Sequence, residues 1–315
     1  MGWTNFDYFC AMRFRIVIAI LLAITFLPVE AYNDHRGHNL DSLERAVADW
    51  TPDKIDHASV GELVRLNRAY RNLMLGYNVL NGVKSEFYAR KALAISRRER
   101  WYSASADAAR YIGQHFYAKD QFDSALVYYN EALACLDSMA SGAVSPTNPE
   151  GYPAREIDDN RSALYGAIGN LYNMMDSLDT AMDWYAKAGA IFDQYGWNES
   201  NSILYYNIGE TWVDAGALNK AAQAYEKALS YAEQSRDSLM IVDVYKGFGR
   251  LYMEKGQTWK ALPYLRKAEA YYAAHPDDMP NFRTENLEFM GLVLSRQKRQ
   301  LAWLEGTEKV PIEVA

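Results

Sequence analysis

Few residues in this sequence could do chemistry, and they do not converge. The five histidines are scattered, and the closest pair beyond the N-terminal apolar run, His35 and His38, lies in a polar segment with no cysteine beside it. A zinc or transition-metal site needs three or four such ligands on an ordered frame, so no metal is expected there. There is no P-loop glycine run, no G-x-S-x-G and no H-E-x-x-H. Asp and Glu are plentiful, but acidic residues spread over repeated segments ordinarily form a solvated face. Neither an enzyme nor a cofactor is expected. Cys135 follows Ala132 in a helical pattern, where a cysteine acts as a small buried hydrophobe, with a reactive thiol as the alternative.

Charge and targeting narrow the partners. With 33 Lys+Arg against 40 Asp+Glu the formal charge is −7, so the positive field that draws nucleic acid or anionic lipid is missing. Arg13 and Arg15 precede an apolar run, Ile16 to Leu27, and Val29, Glu30 and Ala31 then offer a signal-peptidase spacing. The run is shorter than the roughly 20 apolar residues that span a bilayer. Residues 1–31 therefore read as a signal peptide and the mature chain as periplasmic and not membrane-spanning, with an N-terminal membrane anchor as the alternative. Met12 makes a better start to such a signal than Met1. Cleavage after Ala31 removes Cys10 and leaves Cys135 alone, which excludes an internal disulfide.

The elements that must position any binding residues are declared by a repeat. Four segments share a Gly, an aromatic three residues on, Ala twelve on, a large apolar residue sixteen on and Ala nineteen on. They are Gly113/Phe116/Ala125/Tyr129/Ala132, Gly169/Tyr172/Ala181/Tyr185/Ala188, Gly209/Trp212/Ala221/Tyr225/Ala228 and Gly249/Tyr252/Ala261/Leu265/Ala268. In each, apolar residues fall at helical spacing in two blocks separated by turn signals such as Asp214-Ala215-Gly216. Each is a helical hairpin in which the small residues admit close approach and the large ones fill the space beside them.

This pattern resembles the tetratricopeptide repeat over about residues 60–280, in a long variant: Ala188, Ala228 and Ala268 lie 40 residues apart, against about 34 in the usual repeat. A degenerate first copy carries Leu73 where Gly is expected, with Tyr77 and Ala92. The expected fold is all-α, a right-handed superhelix (α-solenoid) of about five antiparallel hairpins. A segment at 32–59 precedes the repeats, a capping helix or broken pair at 281–304 closes them, and 305–315 forms a tail. The step from Ala132 to Ala188 leaves room for an insertion near 143–156, where Pro146, Pro149 and Pro153 forbid a continuous helix. It reads as a solvated loop or as a flap over the groove.

The resemblance also implies a function: the first helix of each hairpin lines a concave face that holds a protein or peptide. Its exposed positions here would be Tyr111 and Gln114, then Asn170 and Asn173, then Tyr206, Asn207 and Glu210, then Lys246 and Arg250. Asn170 and Asn207 carry amides that suit an extended backbone or, alternatively, neighbouring helices. Lys246 and Arg250 suit carboxylates of an acidic or C-terminal segment. The family's clamp for a peptide C-terminus is only partly matched, because Ala163, Asp243 and Gly247 stand where basic residues belong. Recurrent Asp-Ser/Thr-apolar triplets, such as Asp123-Ser124-Ala125, resemble a bacterial glycosylation acceptor, but they also fall where helices start and need caps. The expected role is an exported binding scaffold. Exported arrays of this kind also resemble the sensor halves of bacterial signalling proteins, so a stand-alone or truncated sensor module is the alternative.

Overall fold

The structure, a computed structural model, describes residues 40–78, 80–144, 152–275 and 280–304. The expected signal peptide, Cys10, His35, His38, residues 145–151 of the Pro-rich segment and the tail lie outside them. The described residues form thirteen helices and no strand, so the all-α class holds. They divide into two compact units, Met1–Met175 and Asp176–Ala315, at a turn inside the Gly169 repeat. None of the described helices is long and apolar enough to cross a membrane.

The first unit contains α1 (Leu40–Ala48), α2 (Pro52–Asp56), α3 (Val60–Tyr77), α4 (Gly82–Glu99), α5 (Tyr102–Tyr117), α6 (Phe122–Ala140) and α7 (Ala154–Met174). The starts of α3 and α4 follow capping chemistry. Ser59 and Glu62 form a reciprocal capping box on α3, and the Lys84 amide donates to the Asn81 side chain at the start of α4. Helix α1 has no counterpart in the repeat. Leu40 fills the notch at Gly76, where an added Cβ would stand 2.5 Å from Leu40 Cδ2, and Glu44 accepts from Lys84 (2.8 Å) and Tyr88 (3.0 Å). The degenerate first repeat is present as α3/α4: Leu73 and Ala92 are fully buried, and Asn67 donates to the Ala92 carbonyl at 2.7 Å. In α5/α6 a Cβ on Gly113 would sit 2.6 Å from the Tyr129 ring, so only glycine lets that ring lie flat on the helix.

The second unit contains α8 (Leu178–Tyr195), α9 (Asn198–Asp214), α10 (Leu218–Ser235), α11 (Ser238–Glu254), α12 (Thr258–Ala274) and α13 (Pro280–Leu304). Gly209 faces the Tyr225 ring and Gly249 faces Leu265, while Ala221, Ala228, Ala261 and Ala268 are all at 0% exposure. The 40-residue period is visible in the turns as well. Gly216 and Gly256 take φ of 70° and 67° inside successive hairpins, and Gly196 and Arg236 take 65° and 60° between them. The C-terminal segment is one helix of 25 residues, tied down by Asn286 donating to the Leu265 carbonyl at 3.1 Å and by fully buried Val293.

Candidate binding face

The expected groove residues divide between the units, and each set has its own chemistry. In the first unit Tyr111 is only 4% exposed, because α5 turns it inward, where the Arg110 guanidinium lies 4.7 Å from its ring centre. Tyr111 is thus part of the packing, a correction to its expected place on an open surface. Gln114, Asn170 and Asn173 are half-buried. Beside them sequence reasoning missed a polar node: Arg71 on α3 pairs with Asp107 on α5, and Asp107 also accepts from the Tyr152 hydroxyl at 2.6 Å. Tyr152 thereby anchors the C-terminal end of the Pro-rich segment.

In the second unit Tyr206, Asn207, Glu210, Lys246 and Arg250 are carried by α9 and α11. Glu210, 4% exposed, accepts from the Tyr225 hydroxyl and from Arg250, and the other arm of Arg250 reaches Asp214 at 2.6 Å. Lys246, 9% exposed, has Glu285 of α13 at 3.5 Å and the Phe282 ring 5.1 Å below its ammonium. The expectation that Lys246 and Arg250 serve a partner's carboxylates is therefore corrected. Both cations are already held by this chain's own acids, and Glu210 is a buried member of that network.

The neighbouring groups set the sign of the face. Four carboxylates (Glu210, Asp214, Asp243 and Glu285) meet two cations, so it is acidic. Gly247 stands where a peptide clamp would carry a base because a Cβ there would lie 2.9 Å from the Tyr225 ring and 3.2 Å from that of Tyr206. Asp243 makes no hydrogen bond or ion pair among the described residues. Burial lifts its pKa to about 6; Lys246 opposes the rise, while Asp237, Glu285 and Glu210 add to it. Asn207 uses its backbone carbonyl to accept from Thr211 at 2.9 Å, while its half-buried carboxamide has no partner among the described residues. Burial also raises the Tyr206 phenol well above its usual range. An unpaired carboxylate and an unpaired amide on adjacent first helices can receive a cationic side chain and a peptide bond.

The Asp243 shift has a measurable consequence. A carboxyl with a folded pKa above its unfolded value favours the folded state below the unfolded pKa, and that contribution is lost as pH rises from about 4 to about 6. Asp243→Asn is therefore expected to raise stability at pH 7 by up to roughly 3 kcal/mol and to change nothing at about pH 4. Urea midpoints across that window decide it. Equal midpoints for variant and parent at pH 7 would show that the carboxylate carries no burial penalty.

Outside this face, Cys135 is half-buried and burial raises its thiol pKa to about 11, so it is not ionised at neutral pH. The described residues contain no group of three His, Cys, Asp or Glu placed to hold a metal.

No family model matches the chain. It is 26% identical over 209 residues to outer dynein arm-docking complex subunit 4 of Xenopus laevis, covering 61% of this chain and 38% of that protein. The human protein of the same name is 25% identical over 122 residues, covering 39% of this chain and 17% of the relative. The chain thus spans well under two thirds of these relatives. Among solved structures it is similar to BtubC from P. vanneervenii, with a TM-score of 0.58 and 17% identity, covering 77% of this chain and 92% of that one. It is also similar to the apo form of RapI, with a TM-score of 0.60 and 14% identity, covering 90% and 74%. These likenesses show the fold, a helical repeat of the tetratricopeptide type.

Proposed function

We propose that the chain is an exported scaffold that holds a protein partner, without catalysing a reaction, and that the α9/α11 face receives an extended segment bearing a lysine or arginine. One observation carries this reading: among the described residues the Asp243 carboxylate and the Asn207 carboxamide have no hydrogen bond or ion pair, on adjacent first helices, while Lys246, which acts on Asp243 through its charge, and Arg250 are already paired with other acids. A desolvated carboxylate is costly to the free protein, and an incoming cation offsets that cost. The amide can then donate to and accept from the segment's backbone. The docking-complex relative supports the general role, since its name places it in an assembly. Export rests on Arg13, Arg15 and the apolar run that follows them.

The test is an array of extended peptides with single Lys or Arg residues, followed by titration of the best binder. Asn207→Ala combined with Asp243→Asn is expected to weaken binding about tenfold or more. Asp243→Asn alone is expected to bind less tightly while melting later. A residue that only supports the fold cannot move those two quantities in opposite directions. Undiminished binding of that cationic peptide by the double variant would remove the proposal.

A further inference from the structure

A different surface of the second unit departs from the repeat in a way that packing does not demand. Tyr252 of α11 and Trp259, Lys260, Pro263, Tyr264 and Lys267 of α12 line a shallow pocket of about 350 Å³. The preceding hairpin, 40 residues earlier, carries Asn219, Gln223 and Ala224 where this one has Trp259, Pro263 and Tyr264. That hairpin packs around the same Gly and Ala positions without those three residues, so the fold does not need them. Trp259 is 60% exposed. A large indole left in water beside two tyrosines is an apolar surface awaiting a cover.

The cations around it have no acidic partners. Lys260 lies 5.5 Å from the Tyr252 ring centre, and Lys267 lies 4.9 Å from that of Tyr245 and 5.6 Å from that of Tyr264. Neither ammonium has a carboxylate within ion-pair distance among the described residues, and both lysines are exposed. The two are seven residues apart, which places them about 10 Å apart on one side of α12. Two residues three apart in an extended chain have nearly that separation. Pro263 adds a backbone acceptor: it has no N–H, so the Trp259 carbonyl four residues earlier lacks its helical donor.

We propose that this pocket docks an extended acidic segment of a partner protein, with carboxylates at two positions three apart and an aromatic or prolyl side chain between them. The carboxylates meet Lys260 and Lys267, the apolar residue lies on Trp259, Tyr252 and Tyr264, and a backbone N–H of the segment donates to the Trp259 carbonyl. Charge complementarity selects this occupant, since the uncompensated groups here are cations whereas those of the α9/α11 face are acids. The two surfaces take opposite chemistry and can be tested apart.

The probe is a fluorescein-labelled hexapeptide with glutamate at its second and fifth positions and phenylalanine and proline between them, titrated into the full chain by anisotropy. Binding is expected to perturb indole emission, to weaken about tenfold in Lys260→Gln/Lys267→Gln, and to weaken similarly in Trp259→Ala. These side chains are exposed, so thermal melting is expected to stay unchanged, and Asp243→Asn is expected to leave this binding intact. No binding, equal binding by the double lysine variant, or equal binding of a peptide with lysines for glutamates overturns the proposal. So does a short polyphosphate that binds equally well with and without Trp259, since that is non-specific ionic attraction.

Discussion

Arg250→Met is expected to cost about 3–5 kcal/mol, because it leaves the buried Glu210 carboxylate with only the Tyr225 hydroxyl to hold it. Methionine keeps much of the arginine stem's volume, so the loss reports charge rather than a cavity. The same pair explains why the effect should be reversible. Glu210→Gln in the Arg250→Met background removes the unpaired charge and is expected to recover a large part of the loss. Urea midpoints of parent, single and double variants give the comparison. A single variant within about 1 kcal/mol of the parent would mean that Glu210 is solvated and the network contributes little.

Gly209→Leu is the second large effect. Even the first carbon of the new side chain would lie 2.5 Å from Tyr225 Cδ1, and that ring is fully buried against α11, with Phe248 at 5.5 Å. The ring cannot swing away, so helices α9 and α10 must separate, at a cost of at least about 1–3 kcal/mol. Gly291→Leu is the control, since nothing lies within 4 Å of a Cβ there. Hydrogen exchange should show lost protection across α9, α10 and α11 for Gly209→Leu and no such loss for Gly291→Leu. Similar behaviour of the two would mean that the helix contact has been assigned to the wrong glycine.

The fold was legible because its packing repeats at fixed offsets, and Gly113, Gly209 and Gly249 each meet the large residue sixteen positions on. Helix α1 was not legible. Its hold on the array comes from Leu40, Glu44 and Val47, which follow no repeat spacing, so only their contacts with α3 and α4 reveal them. The binding face was half legible. Offsets from the motif glycine found Asn207, Glu210 and Arg250, but an offset gives direction and says nothing of the partner across the helix boundary. A signal was nevertheless available: Glu210 and Arg250 occupy the same offset in consecutive repeats with opposite charge, which places an ion pair between adjacent first helices. Lys246 could not be judged that way, because Glu285 comes from α13, outside the repeat. Trp259 was not legible because the motif assigns no role to its position, and Tyr252 is the one motif residue among those that line the pocket.

The claim at the centre of this account is that the α9/α11 face is a binding surface whose free groups are Asn207 and Asp243, and the side-chain amide resonances of labelled protein read it most directly. On titration with a lysine-bearing extended peptide, the Asn207 carboxamide signal is expected to shift in proportion to occupancy. That of Asn201, buried and donating to Asp193 at 2.9 Å, is expected to stay in place. Saturable binding with the Asn207 signal unmoved, or with both signals moving alike, would contradict the account and place the partner elsewhere on the chain.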